Sequence, residues 1–529
     1  MRTAAEIARG LEPSRRARPI LPGTRIHVVG AAGAAASGAL LLADAAGAVV
    51  SGCDTGGESP YGVALAASGI AVAAVHERSH VIDAAGRPLV DVLAVSKAIT
   101  SVDPDHVELR AAHAAGLPAI SCQQLIADAI ATRSATLVAA SGTHGKSTTT
   151  GWLVHLLALG GLDPSAFCGA LMPAELTGDG PSVVRLGAGP AFVVEADEYA
   201  GNFDPYRPQV GVVLNADWDH PDVFADRTAV VDAFEGWIRR FEGHAGEPPT
   251  LVANAGDRGV AALLDRLIDW PGRLVTVRVS GPGDGDPATA RRDLLTGFRT
   301  ALGPPEALTA AYRAGPQGEA ELALCGLPAD FDDRDRNVRL RLVGRHYAED
   351  ALAAAAAALV CGVAPAVVLA GLESYAGVGR RFELKGEAGG VAVLDDFGHH
   401  PTAIAATLEA ARLRYPGRRL WAVYEPLTFH RTARMLEAFA DVLATADRVA
   451  IADIYAVRDP DRTIVAPGDL ASAIARRGVP AEAPGSVEAT ADWLHGQVQP
   501  GDVVLVMGGG RSHVIAERLA ALLADADTA

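Results

Sequence analysis

The sequence predicts an α/β protein of three domains, and three observations carry that expectation. At 529 residues the chain exceeds what one hydrophobic core serves, and about three domains is the prior for such a length. Short apolar strands recur along it, separated by Ala/Leu-rich helical stretches, the pattern of parallel sheets with crossover helices. Glycine turns, carboxylates or histidines stand at several strand ends, where open α/β sheets bind ligands.

The first block opens with the apolar strand Arg25-Ile26-His27-Val28-Val29, which runs into a glycine turn (Gly30, Gly33) and an Ala/Leu helix containing Ser37. A second strand over 48–51 leads to Gly52-Cys53-Asp54. An acidic residue about twenty positions after the glycines is the Rossmann-like arrangement, poised for a ribose or a base. Tight helix–strand packing would call for the same glycines.

The second block begins near Ser134 with an apolar strand leading into Ser141-Gly142-Thr143-His144-Gly145-Lys146-Ser147-Thr148. A strand, a glycine turn ending in Gly-Lys-Ser and a helix start make a phosphate cradle. Backbone N–H groups and the helix dipole face the anion, Lys146 neutralises it, and the Ser147 hydroxyl suits Mg²⁺. Ala140 replaces the first glycine of the standard pattern, so the match is to a shortened P-loop. Strands at 191–195 and 210–214 end in Glu195-Ala196-Asp197-Glu198 and Asn215-Ala216-Asp217-Trp218-Asp219-His220. Hard Mg²⁺ takes oxygen ligands, and Glu195 with His220 is the candidate set beside Ser147. The stretch 280–335, rich in Gly, Pro and Asp with some strand-like alternation, reads as a variable excursion ending in a linker.

The third block starts near Leu342, with strands expected at 391–394, 419–424, 448–454 and 502–507. Asp395-Asp396-Phe397-Gly398-His399-His400-Pro401-Thr402 follows the first of these and suits a ribose, a phosphate or an amine. Arg380, Arg381 and Arg431 suit charge developing on a transferred phosphoryl group. Early in this block, 351–372 is uncharged for 22 residues, long enough for a membrane span. It is largely alanine and is broken by Gly362-Val363-Ala364-Pro365, so two short helices in a soluble core are expected.

Composition excludes several classes. A net charge of −17 and a pI near 5.3 disfavour a nucleic-acid surface. Five scattered cysteines with no CxxC pair suit a reducing cytoplasm and argue against a disulfide framework or a structural zinc site. The N-terminus shows no apolar stretch of signal-peptide length. Lysine is rare: only Lys97, Lys146 and Lys385 occur.

Taken in order, these motifs resemble the Mur ligase family, and within it the UDP-N-acetylmuramate–L-alanine ligase (MurC) group. The likeness runs over nearly the whole chain. Further markers are Gly344-Arg345-His346, Arg380-Arg381-Phe382, Asp453-Ile454-Tyr455-Ala456 and Met507-Gly508-Gly509-Gly510. The resemblance implies a UDP-sugar-binding Rossmann-like domain at 1–133, a central P-loop ATP-binding domain at 134–340 and a C-terminal Rossmann-like, amino-acid-presenting domain at 341–529. It implies an ATP- and Mg²⁺-dependent ligase of peptidoglycan precursor synthesis. ATP converts the muramate carboxylate to an acyl phosphate, and an amino group then attacks to form an amide.

By motif match, Gly142, Thr143, His144, Gly145, Lys146, Ser147, Thr148, His346 and Asp396 would bind ATP. Ser147, Glu195 and His220 would serve Mg²⁺, and Gly30, Gly33, Ser37 and Asp54 would contact the UDP moiety. Lys146, Asn215, His220, Arg381, His399 and Arg431 would act at the reacting groups. The expected partners are UDP-N-acetylmuramate and an amino acid, L-alanine by default, with a cytoplasmic location and a monomer or weak homodimer. No lysine lies between Lys146 and Lys385, so the carbamoylated lysine of several sister ligases is absent from the central domain. The tripeptide-recycling relative is the alternative within the same class, supported by Tyr199 and Phe397-Gly398-His399, while Phe429-His430-Arg431-Thr432 and Asp453-Ile454-Tyr455-Ala456 are nearer the alanine-adding pattern. A non-catalytic nucleotide-binding partner is the alternative of another class.

The chain departs from the resemblance at specificity positions. His346-Tyr347 stands for His-Asn, with Asp350 for a later Asn; Leu427-Thr428 stands for His-Arg, and Phe397 for a Tyr. Lys97 and Gln123 replace the usual Ser and Arg near the UDP site.

Overall fold

The computed structural model describes residues 2–57, 59–134, 136–281, 283–284, 286–315, 318–327, 337–456, 459 and 461–528. Three α/β sheets are present, distributed over two compact units. The first unit comprises Met1–Ala311, Ala323–Arg336 and Glu349–Tyr375, and the second Tyr312–Leu322, Asn337–Ala348 and Ala376–Ala529.

The first unit holds the N-terminal sheet and most of the second. In the N-terminal one, Arg25–Val29 is central, flanked by Val49–Cys53 and Val92–Val95, with Val72–Ala73 and Ala119–Ser121 at the edges; every pairing is parallel. Arg25–Val29 buries every residue but its first, which is why it reads as a continuous apolar run rather than an alternating one. The helix Ala34–Ala45 covers it, and Phe167 lies against Gly38 of that helix, so one apolar core continues into the second sheet.

In the second sheet the strand Thr136–Ser141 lies between Val210–Val213 and Ala191–Glu195, parallel to both. Register pairs Ala140 with Glu195 and Ser141 with Val213. The phosphate-loop candidate therefore leaves the sheet between the two acidic strand ends singled out above. Thr250–Asn254, Arg273–Ser280 and Glu306–Ala314 extend the parallel order on one side; Ser165–Met172 and antiparallel Ser182–Arg185 extend it on the other.

One expectation needs correction. The stretch read as a variable excursion from residue 280 carries the helix Pro287–Gly297 and the strands Glu306–Ala314 and Ala320–Cys325. Its Gly, Pro and Asp residues lie largely between these elements, while the apolar positions of Glu306–Ala314 are buried. The expected linker at its end falls at 328–336, outside the described residues.

The Ala-rich stretch forms two helices, Arg345–Val360 and Pro365–Ser374, separated at Gly362 with Pro365 in the first turn of the second. Ala351 to Ala358 are all at most 2% exposed, small enough for close backbone packing. Among the described residues no helix is long and apolar enough to cross a membrane.

The second unit is built on the order Glu383–Ala388, Val391–Asp396, Asp502–Gly508, Arg419–Glu425, Arg448–Ala452, Ala481–Gly485. All pairings are parallel except the edge hairpin Glu383–Ala388/Val391–Asp396. Asp396, Glu425 and Gly508 stand together at the C-terminal ends of three adjacent inner strands.

Candidate functional site

The loop 141–148 is held from the neighbouring strand end. Asn215 Oδ1 accepts from the His144 backbone N–H at 2.7 Å, and its amide donates back to the His144 carbonyl at 3.1 Å. Thr143 exchanges hydroxyl bonds with the Asp217 backbone, both 3.1 Å, and the His144 ring lies 3.7 Å from the Asp217 carboxylate. Gly145 caps the helix Lys146–Leu159 in the left-handed region, at φ 83°. That turn sets the start of the helix, whose first N–H groups have no partner within the helix itself, at the loop. Ser147 and Thr148 lie buried in this turn, and the Thr148 carbonyl accepts from the Tyr375 hydroxyl at 3.2 Å.

Lys146 is folded into the loop. Its Nζ donates to the Gly142 carbonyl at 2.7 Å, to the Thr143 carbonyl at 3.2 Å and to Glu198 Oε2 at 2.9 Å, with Asp197 at 3.5 Å. Burial opposes the lysine charge, but Glu198 and Asp197 outweigh it and raise its pKa. Burial pushes Glu198 up to about 7, against the pull of Lys146. Sequence reasoning weighted Glu195 and passed over Glu198, although the run Glu-Ala-Asp-Glu spells out both.

Glu198 Oε1 is buried and without a hydrogen bond among the described residues; His220 Nε2 lies 3.8 Å from it. Asp197, Glu198 and His220 offer ligand atoms that all lie within 4.8 Å of one another. His220 is presented from a left-handed backbone, φ 54°. Glu195 sits apart from that trio. Its Oε2 accepts from the Gly169 N–H at 2.6 Å, and a side chain at Gly169 would meet the Glu195 carboxylate at 2.8 Å and displace it. The Cys168 thiol spans to the Ser147 carbonyl and Glu195 Oε2, 3.6 Å each, which places Glu195 alongside Ser147. The structure thus brings Glu195 beside Ser147 and groups His220 with Asp197 and Glu198, and such carboxylate-rich surroundings fit a hard divalent cation.

In the N-terminal sheet Gly30, Gly33 and Asp54 converge. Gly30 donates to the Cys53 carbonyl at 2.9 Å, Gly33 to the Gly30 carbonyl at 3.1 Å, and the Asp54 carboxylate accepts from Ala32 and Gly56 at 2.9 and 2.7 Å. Ser37 is fully buried and its hydroxyl bonds the Ala34 carbonyl at 3.0 Å, turned into its own helix. Lys97, a departure from the resemblance, is 6% exposed, and its ammonium donates to the Ala200 carbonyl at 2.8 Å. Burial lowers its pKa to about 8 despite Asp204 and Asp197.

In the second unit Asp396 accepts from Phe382 N–H at 2.9 Å, Gly398 N–H at 2.7 Å and the Thr407 hydroxyl at 3.3 Å. Both its oxygens tie the loop after Val391–Asp396 to the turn carrying the arginines. Arg380 is a brace: it pairs with Asp395 at 3.1 Å and donates to the Gly508 carbonyl at 2.9 Å and Ser512 Oγ at 2.7 Å. Burial raises Asp395 to about 6, against Arg380. Arg381 stacks on Phe397, 4.8 Å to the ring centroid, and His399 bonds the Phe397 carbonyl at 3.0 Å. Phe397 thus organises both predicted residues, one by cation–π contact.

Arg431 is 3% exposed on the helix Phe429–Arg434, which Thr428 caps from φ 65°, ψ 140°. Leu427 bridges Tyr455, whose ring lies beside Gly510. The departures at Leu427 and Thr428 therefore meet the Asp453-Ile454-Tyr455 motif and the terminal glycines. His346 opens the helix Arg345–Val360, its ring 4.0 Å from that of Tyr347; burial lowers it to about 4, so it is neutral at pH 7. Non-glycine residues at positive φ include His220, Arg380, Phe382 and Thr428, all within the predicted motifs. Such strain concentrates where a site demands it.

Comparison with known proteins supplies the family. Residues 25–134 match the model of the Mur ligase family catalytic domain, and 380–510 that of the Mur ligase glutamate ligase domain. A UDP-N-acetylmuramate–L-alanine ligase of Kineococcus radiotolerans is 36% identical over 511 residues, covering 95% of this chain and 96% of that one. The Mycolicibacterium smegmatis protein of the same name is 34% identical over 488 residues, 92% of each chain. In fold, the chain is similar to the UDP-N-acetylmuramate–alanine ligase MurC of Thermotoga maritima, with TM-score 0.72 and 22% identity over 94% of this chain and 98% of that one. It is also similar to the murein peptide ligase of Psychrobacter arcticus, with TM-score 0.65 and 22% identity over 95% and 99%. With a cradle closed by Asn215, a lysine seated among carboxylates, and a relative more than a third identical along almost its whole length, this chain belongs to the Mur ligase family, in its MurC-type branch.

Proposed function

We propose that the chain is an ATP- and Mg²⁺-dependent ligase that joins an amino acid, L-alanine by default, to the carboxylate of UDP-N-acetylmuramate. The observation that carries this is Lys146, held between loop carbonyls and the buried Glu198 while Glu198 Oε1 is left over beside His220. A lysine so placed suits a phosphate, and the carboxylate oxygen left over beside His220 suits a cation. In this reading residues 1–133 form a Rossmann-like UDP-sugar domain, 134–340 a P-loop ATP domain and 341–529 the domain that brings the acceptor.

The residues take the following parts. Gly142 to Thr148 receive the triphosphate on backbone N–H groups, and Lys146 exchanges Glu198 for a phosphate oxygen. Ser147, Glu195 and His220, with Asp197 and Glu198 nearby, would hold Mg²⁺, which would supply charge neutralisation at the transferred phosphoryl group. Asn215 keeps the loop at its working geometry through both bonds to His144. Phosphorylation turns the muramate carboxylate, a poor electrophile, into an acyl phosphate. The acceptor amine then attacks, phosphate leaves, and the amine proton passes to solvent or a nearby base. Gly30, Gly33 and Asp54 are assigned to the UDP moiety, His346 and Asp396 to the nucleoside of ATP, and Arg381, His399 and Arg431 to the reacting and acceptor groups. Catalysis on this plan is chiefly positioning and charge stabilisation.

The departures at Leu427, Thr428 and Phe397 bear on the acceptor. Phosphate release with ATP, Mg²⁺ and UDP-N-acetylmuramate, screened over L-alanine, glycine, L-serine and the cell-wall tripeptide, tests the reading. Turnover with L-alanine above the others is the expected result. Turnover with tripeptide alone would assign the chain to peptide recycling, and no turnover with any acceptor would overturn the ligase.

A further inference from the structure

The N-terminal sheet holds a second cluster of metal-ligating side chains that the ligase reaction does not use. His27 projects from the middle of the strand Arg25–Val29, and Cys53 ends the adjacent strand Val49–Cys53. His80 closes the short helical turn Arg78–His80, His106 caps the helix Val107–Ala114, and Glu108 lies in that helix's first turn. His76 completes the group. Glu108 and Cys53 are fully buried, His27 is 2% exposed and His106 5%.

The distances describe a nest around Glu108. His27 Nε2 lies 3.3 Å from Cys53 Sγ and 3.5 Å from Glu108 Oε1; Cys53 Sγ lies 3.2 Å from each Glu108 oxygen; His80 Nδ1 lies 2.5 Å from Oε1. On the other side His76 Nδ1 is 3.1 Å from Cys53 Sγ and 3.6 Å from Oε2, and His106 Nδ1 is 3.7 Å from Oε2. Four atoms bound tetrahedrally at zinc distances of 2.0–2.3 Å are separated by roughly 3.3–3.7 Å; the His27–Cys53 and His27–Glu108 gaps fall in that range, Cys53–Glu108 lies just under it, and His80 would move back from Glu108 to admit an ion.

Hydrogen bonding alone does not account for the group. A carboxylate offers about four lone-pair directions, yet four imidazoles and a thiol crowd these two oxygens. His106 Nδ1 is buried and has no hydrogen-bond partner among the described residues. The surroundings are apolar, with Val29, Val81, Val95 and Leu109 in the same core, so polar groups left over here are costly. His27 Nδ1 is paired with Ser51 Oγ at 2.8 Å, an outer contact that orients the ring with Nε2 toward the cluster.

We propose that His27 Nε2, Cys53 Sγ, His80 Nδ1 and the Glu108 carboxylate bind one borderline-soft divalent transition metal, with Zn²⁺ the best fit, and that His76 and His106 line the site. Mixed imidazole, thiol and carboxylate donors select such a metal over Mg²⁺ or Ca²⁺. Binding forms a metal–sulfur bond and releases the Cys53 proton to solvent. The metal would pin the end of the strand whose next residue is Asp54, and whose carbonyl receives the Gly30 and Ala31 N–H groups. The site is therefore structural support for the candidate UDP-binding turn. The ligands are contributed at positions 27, 53, 80 and 108, too far apart for any spacing motif, which is why the cysteine pattern argued against zinc.

Metal analysis of the full chain, purified without a metal-affinity tag and dialysed into Mg²⁺ buffer, tests this. The expected result is about one zinc per chain, as for a closed structural site, kept in Lys146→Met and lost in Cys53→Ser and Glu108→Gln. Because those variants can lose stability, the stripped wild-type chain is measured as well. Zn²⁺ should raise its melting temperature by several degrees, and Co²⁺ should give a thiolate-to-cobalt charge-transfer band. Zinc retained undiminished by Cys53→Ser and Glu108→Gln would overturn the proposal. So would a stripped wild-type chain with neither a melting shift nor a cobalt–thiolate band.

Discussion

Gly145→Ala probes the phosphate cradle at the point where its geometry is least forgiving. Gly145 sits at φ 83°, ψ −8°, and a methyl group there would collide with the Asp350 carboxylate, with Cγ and Oδ2 both at 2.9 Å. Placing alanine in the left-handed region costs roughly 1–2 kcal/mol. Asp350 is 5% exposed on the helix Arg345–Val360, so its carboxylate cannot swing freely into solvent. Forcing extra volume into such a site costs about 1–3 kcal/mol. The two terms together give a loss of about 2–5 kcal/mol, part of which the loop can shed only by shifting Lys146. Urea denaturation of wild type, Gly145→Ala, Asp350→Ala and the double variant separates them. In the Asp350→Ala background the Gly145→Ala cost should fall to roughly 1–2 kcal/mol, the backbone share alone, while ATP saturation remains impaired. An equal cost in both backgrounds would refute the contact, and wild-type stability and ATP saturation in Gly145→Ala would refute the cradle itself.

Three further outcomes are expected. Lys146→Met should abolish phosphate release yet stay folded, because the buried Glu198, already up to about 7, can take a proton; its stability deficit, up to about 3–5 kcal/mol for a broken buried pair, should grow between pH 6 and 8, measured by denaturation at both. Lys97, lowered to about 8, binds fewer protons folded than unfolded between pH 8 and 10.5, so stability rises across that window by about 3 kcal/mol; Lys97→Met should flatten the rise, and an unchanged pH slope would count against the buried amine. Thr428→Gly removes a β-branched residue from φ 65°, ψ 140°, where strain costs about 1–3 kcal/mol, at the loss of a cap for which glycine costs only a few tenths. It should raise stability by about 1 kcal/mol and change the KM for the acceptor but not for ATP, read from steady-state kinetics.

The parts of the molecule legible in sequence are those set by local chemistry. The loop at 141–148 announces itself by Gly-Lys-Ser between a strand and a helix, and the structure places that loop between the ends carrying Glu195 and Asn215, as parallel pairing requires. Alanine density together with Gly362 and Pro365 foretold two packed helices at 351–372. What sequence concealed is what depends on distance along the chain. Glu198 outranks its neighbours because folding buries it against Lys146, a partner 52 residues away. Arg380, expected among the charge-neutralising arginines, is used as a brace between Asp395 and the Gly508 carbonyl, 128 residues on. Ser37 sits near the glycine turn but spends its hydroxyl on its own helix, a choice of rotamer that spacing cannot reveal. The elements from Pro287 to Cys325 were masked by the turn residues around them.

The central claim is that the loop at Lys146 activates a sugar-nucleotide carboxylate by phosphorylation. Incubating the chain with ATP, Mg²⁺, L-alanine and UDP-N-acetylmuramate carrying heavy oxygen in its carboxylate tests this directly, with mass analysis of the products. The account predicts that ADP, phosphate and amide form in equal amounts and that one heavy oxygen appears in the released phosphate. Amide formed with unlabelled phosphate, or ATP consumed at the same rate without the muramate substrate, would contradict it.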